Sequence, residues 1–517
     1  MQHRILVVGL AEATLDLIEP WAEAGRLPTL QRLMAEGTWG RLASQVPLVT
    51  PQMWGTIVTG RTPGHHGAFD FWQRGPDGRF QAIDGSALRT PPIWRILNEA
   101  GLPCGIVNVP FTYPPAAVDG FMISGEDAPG AHPSIATPAG LYEEMTARFG
   151  RYRLKDIFPG GRQKADYLTL IEEDVDKQTD VFEHLFAEKP WRFGIVFFSA
   201  TAIAQHYFWA DMAAADLADP YRNVVETAYR AVDRAVARLC RAVGRDTTIF
   251  VISECGAGPL RSGVQINTLL ERHGFLRYCR QAGLGGSRRL VAAGRKQAQG
   301  LLQRWLPDAM YYRLNHGLRA TKARVQSFLA DSDIDWAKTT AFSRGKEGEV
   351  FVNLHGRDPR GVVAPGAEYE AVRDRLIECF ASLRDPNTGE NAVEHVYRRE
   401  ALYQGPMLEW APDLVVAWKD AAYMPTENDK NKNEIFVTRW REYMNWPTSG
   451  SHRVDGVLIA NGPGIRRGAV VEGARIIDLA PTWLRCLDQP ITGKLEGRVI
   501  EGLFEPDTAP VTKSVAA

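Results

Sequence analysis

Glu254 and Cys255 place a carboxylate and a thiol directly after Thr247 to Ile252, an unbroken β-branched and aromatic run. That run is too short for a helix and is closed by Gly256-Ala257-Gly258-Pro259, so it predicts a strand buried on both faces. In an open α/β sheet the ligand crevice lies outside the carboxyl ends of the strands, which makes Glu254 and Cys255 candidate site residues. Taken alone they fit equally a solvent-facing glutamate and a buried structural cysteine. Thr50, followed by Pro51, predicts a helix start with the threonine as N-cap and the proline at the first helical position. A hydroxyl there faces the positive end of the helix dipole, where a phosphoryl or sulfuryl group would sit. His206 follows the apolar run Phe193 to Ser199, and His452 precedes the short run Val457 to Ala460. A lone histidine is more often structural than a ligand; two of them, with a carboxylate and a thiol, define a set to be tested together.

The elements that must bring these residues together are legible as alternating strands and helices. Ile5 to Leu10, Gly105 to Pro110, Phe193 to Ser199 and Thr247 to Ile252 read as buried strands. Thr14 to Leu33, broken near Gly25 and Pro28, and Tyr221 to Val243 have helical periodicity. Such alternation through the first 255 residues predicts an α/β fold, a doubly wound and mainly parallel sheet flanked by helices. Residues 1–273 and 446–504 are expected to form this core. Residues 274–445 are expected to form an inserted cover with small antiparallel elaborations, and 505–517 a loosely ordered tail. Within the insertion, 274–335 is Gly/Arg-rich, and Arg289, Arg295, Arg304, Arg313, Arg319 and Arg324 would make an anion-facing cover or merely a solvated face.

Composition narrows the function. A net charge of −1 over 517 residues and a pI near 6.9 give no electrostatic footprint for nucleic acid or an anionic membrane. Six scattered cysteines show neither a Cys-x-x-Cys pair nor a metal-type spacing, which reads as a reduced, cytoplasmic chain. No apolar run approaches the length of a membrane span.

Several short motifs in order carry a resemblance: Arg26-Leu27-Pro28-Thr29-Leu30, Thr50 to Gly67, Gln205-His206, Gly256-Ala257-Gly258-Pro259, Ile334-Asp335-Trp336, Asn353-Leu354, Ala411-Pro412-Asp413-Leu414 and Gly450-Ser451-His452-Arg453. Over about residues 4 to 504 the chain resembles the alkaline phosphatase superfamily, and within it the bacterial and archaeal type I phosphodiesterases/nucleotide pyrophosphatases. The resemblance implies a two-metal, usually zinc, phosphoric ester hydrolase with a covalent phospho-enzyme. It matches Thr50 to the nucleophile and His206 and His452 to histidine ligands. It also exposes departures: Ala11 and Ala202 stand where ligand aspartates are expected, and Glu254-Cys255 where an Asp-His pair is expected.

Two neighbouring dications need carboxylates to offset their repulsion, so the usual two-metal centre is not expected here. Three readings remain open. Glu254, Cys255, His206 and His452 assemble one non-standard zinc site, with Glu12 beside the missing aspartate as a further donor. Alternatively the site is metal-free, and Cys255 with His206 or His452 as base does acyl-type or other transfer chemistry. Or the fold is retained as a catalytically silent binding or scaffold protein. A small phosphate-type or related ester is the expected ligand.

Overall fold

The computed structural model describes residues 3–506, except 76, 129, 151, 153–166, 215, 217, 280–333, 346, 427–433, 438–447, 492 and 493. The six arginines of the expected basic cover and all but the first two residues of the expected tail lie outside the described residues.

Alternating burial fixes the central sheet. In β1 (Arg4–Leu10), Leu6, Val8 and Leu10 join one apolar cluster while Ile5 and Val7 join a second on the opposite face. A strand covered on both sides reads as a continuous apolar run, and each fully buried aliphatic side chain contributes about 1.5–3 kcal/mol. The same holds for β3 (Cys104–Val107), β4 (Gly120–Ile123), β5 (Phe193–Phe198), β6 (Thr247–Ile252) and the centre of β7 (Asp455–Asn461), while β2 (Thr38–Ala43) includes the exposed Arg41; the order is β2-β7-β6-β1-β5-β3-β4. Strands β6, β1, β5, β3 and β4 run parallel, whereas β7 is antiparallel to both its neighbours. Three short edge strands complete a ten-stranded sheet. The expected doubly wound α/β architecture is therefore the one observed.

Helices cover both faces. On one lie α1 (Leu15–Glu23), α2 (Pro28–Glu36), α4 (Tyr167–Glu188), α5 (Ala200–Met212) and α6 (Val224–Val243); on the other are α3 (Thr50–Thr59) and α7 (Leu479–Cys486). Helix α6 shows why the periodicity was readable: Val225, Ala228, Tyr229, Val232, Val236, Leu239 and Val243 recur three or four residues apart and are all buried.

A second layer adds a four-stranded antiparallel sheet, Ala341–Ser343, Glu349–Val352, Leu414–Trp418 and Val393–Arg398 in spatial order, backed by the helix Ala367–Ala381. Its apolar cluster runs from Val264 to Phe436. Asp413 anchors it from a fully buried position. Its carboxylate accepts from Arg357 Nη1 and Nη2 at 2.7 and 2.8 Å, the Tyr369 hydroxyl at 2.6 Å and the Val352 amide at 2.7 Å. The layer matters to the site because it supplies Glu347.

Candidate metal centre and its pocket

The loop after β1 makes the centre. Glu12 adopts a left-handed backbone with φ of 54°, uncommon for a residue bearing a Cβ and therefore held by its surroundings. Four hydrogen bonds hold it: Ala11 N–H to the Phe198 carbonyl, Ala13 N–H to Leu10, the Thr201 hydroxyl to the Ala11 carbonyl and the Gln205 amide to the Glu12 carbonyl. The result turns the Glu12 carboxylate inward across the carboxyl end of the sheet.

Two histidines meet it there. His206 sits on α5, the helix that leaves β5, and its Nε2 lies 3.0 Å from each Glu12 carboxylate oxygen. Its Nδ1 lies 3.2 Å from the Gly450 carbonyl, so that nitrogen is the donor and Nε2 is left to face the carboxylate. This approach requires glycine at 450, where a Cβ would stand 2.4 Å from the Gln205 carbonyl oxygen. His452 comes from the strand Gly450–Arg453, paired antiparallel with Gly256–Pro259, Ala257 opposite His452. Its Nε2 is 3.2 Å from Glu12 Oε1, and its Nδ1 is 3.7 Å from Glu347 Oε1. The glycine-rich stretch after Glu254 is thus more than a turn: it is the ribbon partner that positions the late histidine.

Glu12, His206 and His452 each offer one donor atom, all within 4.8 Å of one another, and are the one such group among the described residues. Ligands at about 2.1 Å on a tetrahedron lie about 3.4 Å apart, so Glu12-to-histidine separations of 3.0 and 3.2 Å fit a zinc-class ion after a few tenths of an ångström of adjustment. Two imidazoles and one carboxylate form a donor set that leaves a coordination position open. Electrostatics agree. Burial opposes the Glu12 charge, but His206 and His452 outweigh it and hold its carboxyl far below the usual range. Burial likewise opposes charge on His452, but Glu12 and Glu347 raise its pKa well above that of a free imidazole. The cluster thus demands positive charge, supplied by protons or by a cation.

Glu254 lies at the end of β6 and is 5% exposed. Burial, then the Glu12 charge, pushes its carboxyl up to about 8, against the pull of backbone amides. Its Oε2 has no hydrogen-bond partner. With Thr50, Glu12, Glu126, His206 and Tyr207 it lines a cavity of about 130 Å³, walled on the apolar side by Ala11, Ala202, Ile203, Phe197 and Pro110. The two alanines standing where aspartates were expected are thus part of the cavity wall. Thr50 is in this cavity but is not the N-cap expected: Val49, in extended conformation, takes that place, and Thr50 begins the helix with Pro51 next. The hydroxyl is accordingly not committed to a cap.

Cys255 is absent from the lining of this cavity. It is fully buried in the apolar cluster with Leu48, Met53, Ile252 and Leu458, and it stands outside the ligand group, as does Glu254. Burial, then the Glu254 charge, pushes its thiol well above 9. Burial that keeps the thiol protonated makes Cys255 a poor nucleophile, and this placement favours packing over a nucleophilic or metal-ligand role for it. Glu347 was missed altogether. It has no sequence signal of its own, arriving from a hairpin of the second layer.

The fold and this centre define an alkaline phosphatase-superfamily protein. The model of the type I phosphodiesterase/nucleotide pyrophosphatase family matches residues 5–444, and the chain belongs to that family. Among solved structures it is similar to phosphonoacetate hydrolase from Sinorhizobium meliloti 1021 in complex with phosphonoformate, with 14% identity, 93% of this chain and 94% of that one covered, and a TM-score of 0.55. It is also similar to human ectonucleotide pyrophosphatase/phosphodiesterase 5, with 12% identity, 95% and 96% coverage and a TM-score of 0.50. No curated protein sequence matches the chain. Among the described residues no helix is long and apolar enough to cross a membrane.

Proposed function

We propose that the chain is a hydrolase of a small phosphate-type ester, with a single zinc-class ion held by Glu12, His206 and His452 and with Thr50 as the hydroxyl facing the substrate. The observation that carries this reading is the convergence of those three donors within 4.8 Å. A second observation supports it: the cavity is lined by Glu12, Glu126 and Glu254 and by no lysine or arginine. An anionic ester would be repelled by the Glu12 carboxylate, which stays charged, unless a dication offset it. When bound, the ion supplies Lewis acidity to an ester oxygen. This chain's residues do the rest. The start of α3 presents Thr50 with the helix dipole behind it, the Gly450 carbonyl fixes the His206 tautomer, and Glu254, lining the same cavity as Thr50, is the buried carboxyl that takes a hydroxyl proton once pH exceeds its raised pKa of about 8. Family membership and the fold neighbours favour a phosphoric or phosphonic substrate; one murine relative, an inactive threonine-to-alanine variant, is solved with AMP.

A second ion has Glu254 and Thr50 on its side of the cavity but neither Ala11 nor Cys255 to complete it, so we assign one ion. We also propose the division into a core of residues 1–273 and 446–504 with residues 274–445 as its cover. The test is elemental analysis of chelator-free protein with hydrolysis of bis(p-nitrophenyl) phosphate, in the wild type and Glu12→Gln. About one zinc per chain and measurable turnover, both lost in the variant, support the proposal. Zinc-free protein after incubation with zinc or manganese refutes it and leaves a binding role.

A further inference from the structure

At the opposite end of the strands, where β6 begins and β7 ends, lies a cavity of about 940 Å³. Four arginines from three parts of the chain line it: Arg32 from α2, Arg241 and Arg245 from the end of α6 and the turn beyond, and Arg467 from the loop after β7. The one acid in the lining is Glu36, and it is paired with Arg32 at 3.4 Å. The lining therefore carries a surplus of positive charge in a chain whose net charge is −1. Arg241 and Arg245 alone would be the usual complement to a helix C-terminus, but Arg467 and Arg32 are not on that helix. The floor is apolar, with Leu33, Ala237 and Ile249. The α2 N-terminus plays no part, because the Thr29 and Leu30 amides are held by Asp233.

We propose that this cavity binds a chain of phosphoryl groups, inorganic polyphosphate or the triphosphate of a nucleotide, at a site separate from the catalytic pocket. Guanidinium groups pair with phosphate through parallel hydrogen bonds, and several on the wall of one concave surface focus the field on a multiply charged anion. The apolar floor would add contact for a nucleotide base.

The experiment is calorimetric titration of the zinc-loaded protein with tripolyphosphate and with a non-hydrolysable ATP analogue, at ionic strength held constant with chloride. The expected result is one saturable site per chain, weakened at least tenfold in Arg245→Gln/Arg467→Gln, whose zinc content and unfolding midpoint stay those of the wild type. Tighter binding of the analogue assigns the ligand as a nucleotide; equal binding assigns the phosphoryl chain alone. The proposal is overturned if no saturable heat appears, if the double variant binds as the wild type does, or if binding disappears in His206→Ala, which would place the anion in the catalytic pocket.

Discussion

Replacing Cys255 by alanine separates the present account from one in which that thiol does the chemistry. The side chain is fully buried in the apolar cluster that also holds Leu48, Met53, Ile252 and Leu458, so Cys255→Ala deletes one apolar-sized atom from a packed cluster and leaves a small void. Loss of a group of methylene size costs about 0.8 kcal/mol in transfer, and partial collapse around the void brings the total to about 1–1.5 kcal/mol. Urea unfolding followed by tryptophan fluorescence reads this as a lower midpoint with an unchanged slope. Zinc per chain and kcat should remain those of the wild type, since no ligand and no cavity wall is touched. Iodoacetamide should leave Cys255 unmodified in folded protein at pH 8, as burial keeps the thiol protonated. A folded variant that lost zinc, or lost tenfold or more in kcat, would refute the assignment of Cys255 to packing.

Other perturbations follow from the same geometry. Zinc affinity should fall as pH is lowered, because Glu12 and Glu347 raise the pKa of His452 and the metal must displace its proton; competition titrations should show at least one proton released per zinc below that pKa. Asp413→Asn should destabilise the second layer by about 2–3 kcal/mol, since the Arg357 guanidinium loses one of its two carboxylate partners and keeps Asp358, and urea unfolding checks it. The Asp413 pKa is depressed from 3.8 to about 2, so the carboxylate contributes about 2 kcal/mol above pH 3.8; acid unfolding should show that contribution fading as pH falls through 2. Glu254→Gln should keep zinc while slowing hydrolysis, read as lower kcat at unchanged metal content.

Much of the scaffold was legible because its signals are local. Continuous apolar runs in β1, β5 and β6 and the three-to-four spacing in α6 depend only on neighbours in sequence, and each formed where the pattern placed it. The two histidines were legible as candidates, and the structure brings them together. Glu12 was legible only as a further donor beside Ala11, not as the acid the two histidines share. Glu12 becomes the shared carboxylate through a left-handed turn fixed by hydrogen bonds from β5 and α5, a tertiary effect with no sequence signature beyond its position beside Ala11. Which way Cys255 turns was not legible either: Glu254 and Cys255 fall in a bend between Ile252 and Gly256, where strand alternation no longer dictates side-chain direction. Glu347 depended on the packing of a second layer against the first.

X-ray absorption at the zinc edge, on protein loaded with one equivalent, tests the central claim most directly. The account predicts a first shell of nitrogen and oxygen at about 2.0–2.1 Å, with two imidazole scattering patterns and no sulfur. A sulfur shell at about 2.3 Å would place Cys255 on the metal and contradict it.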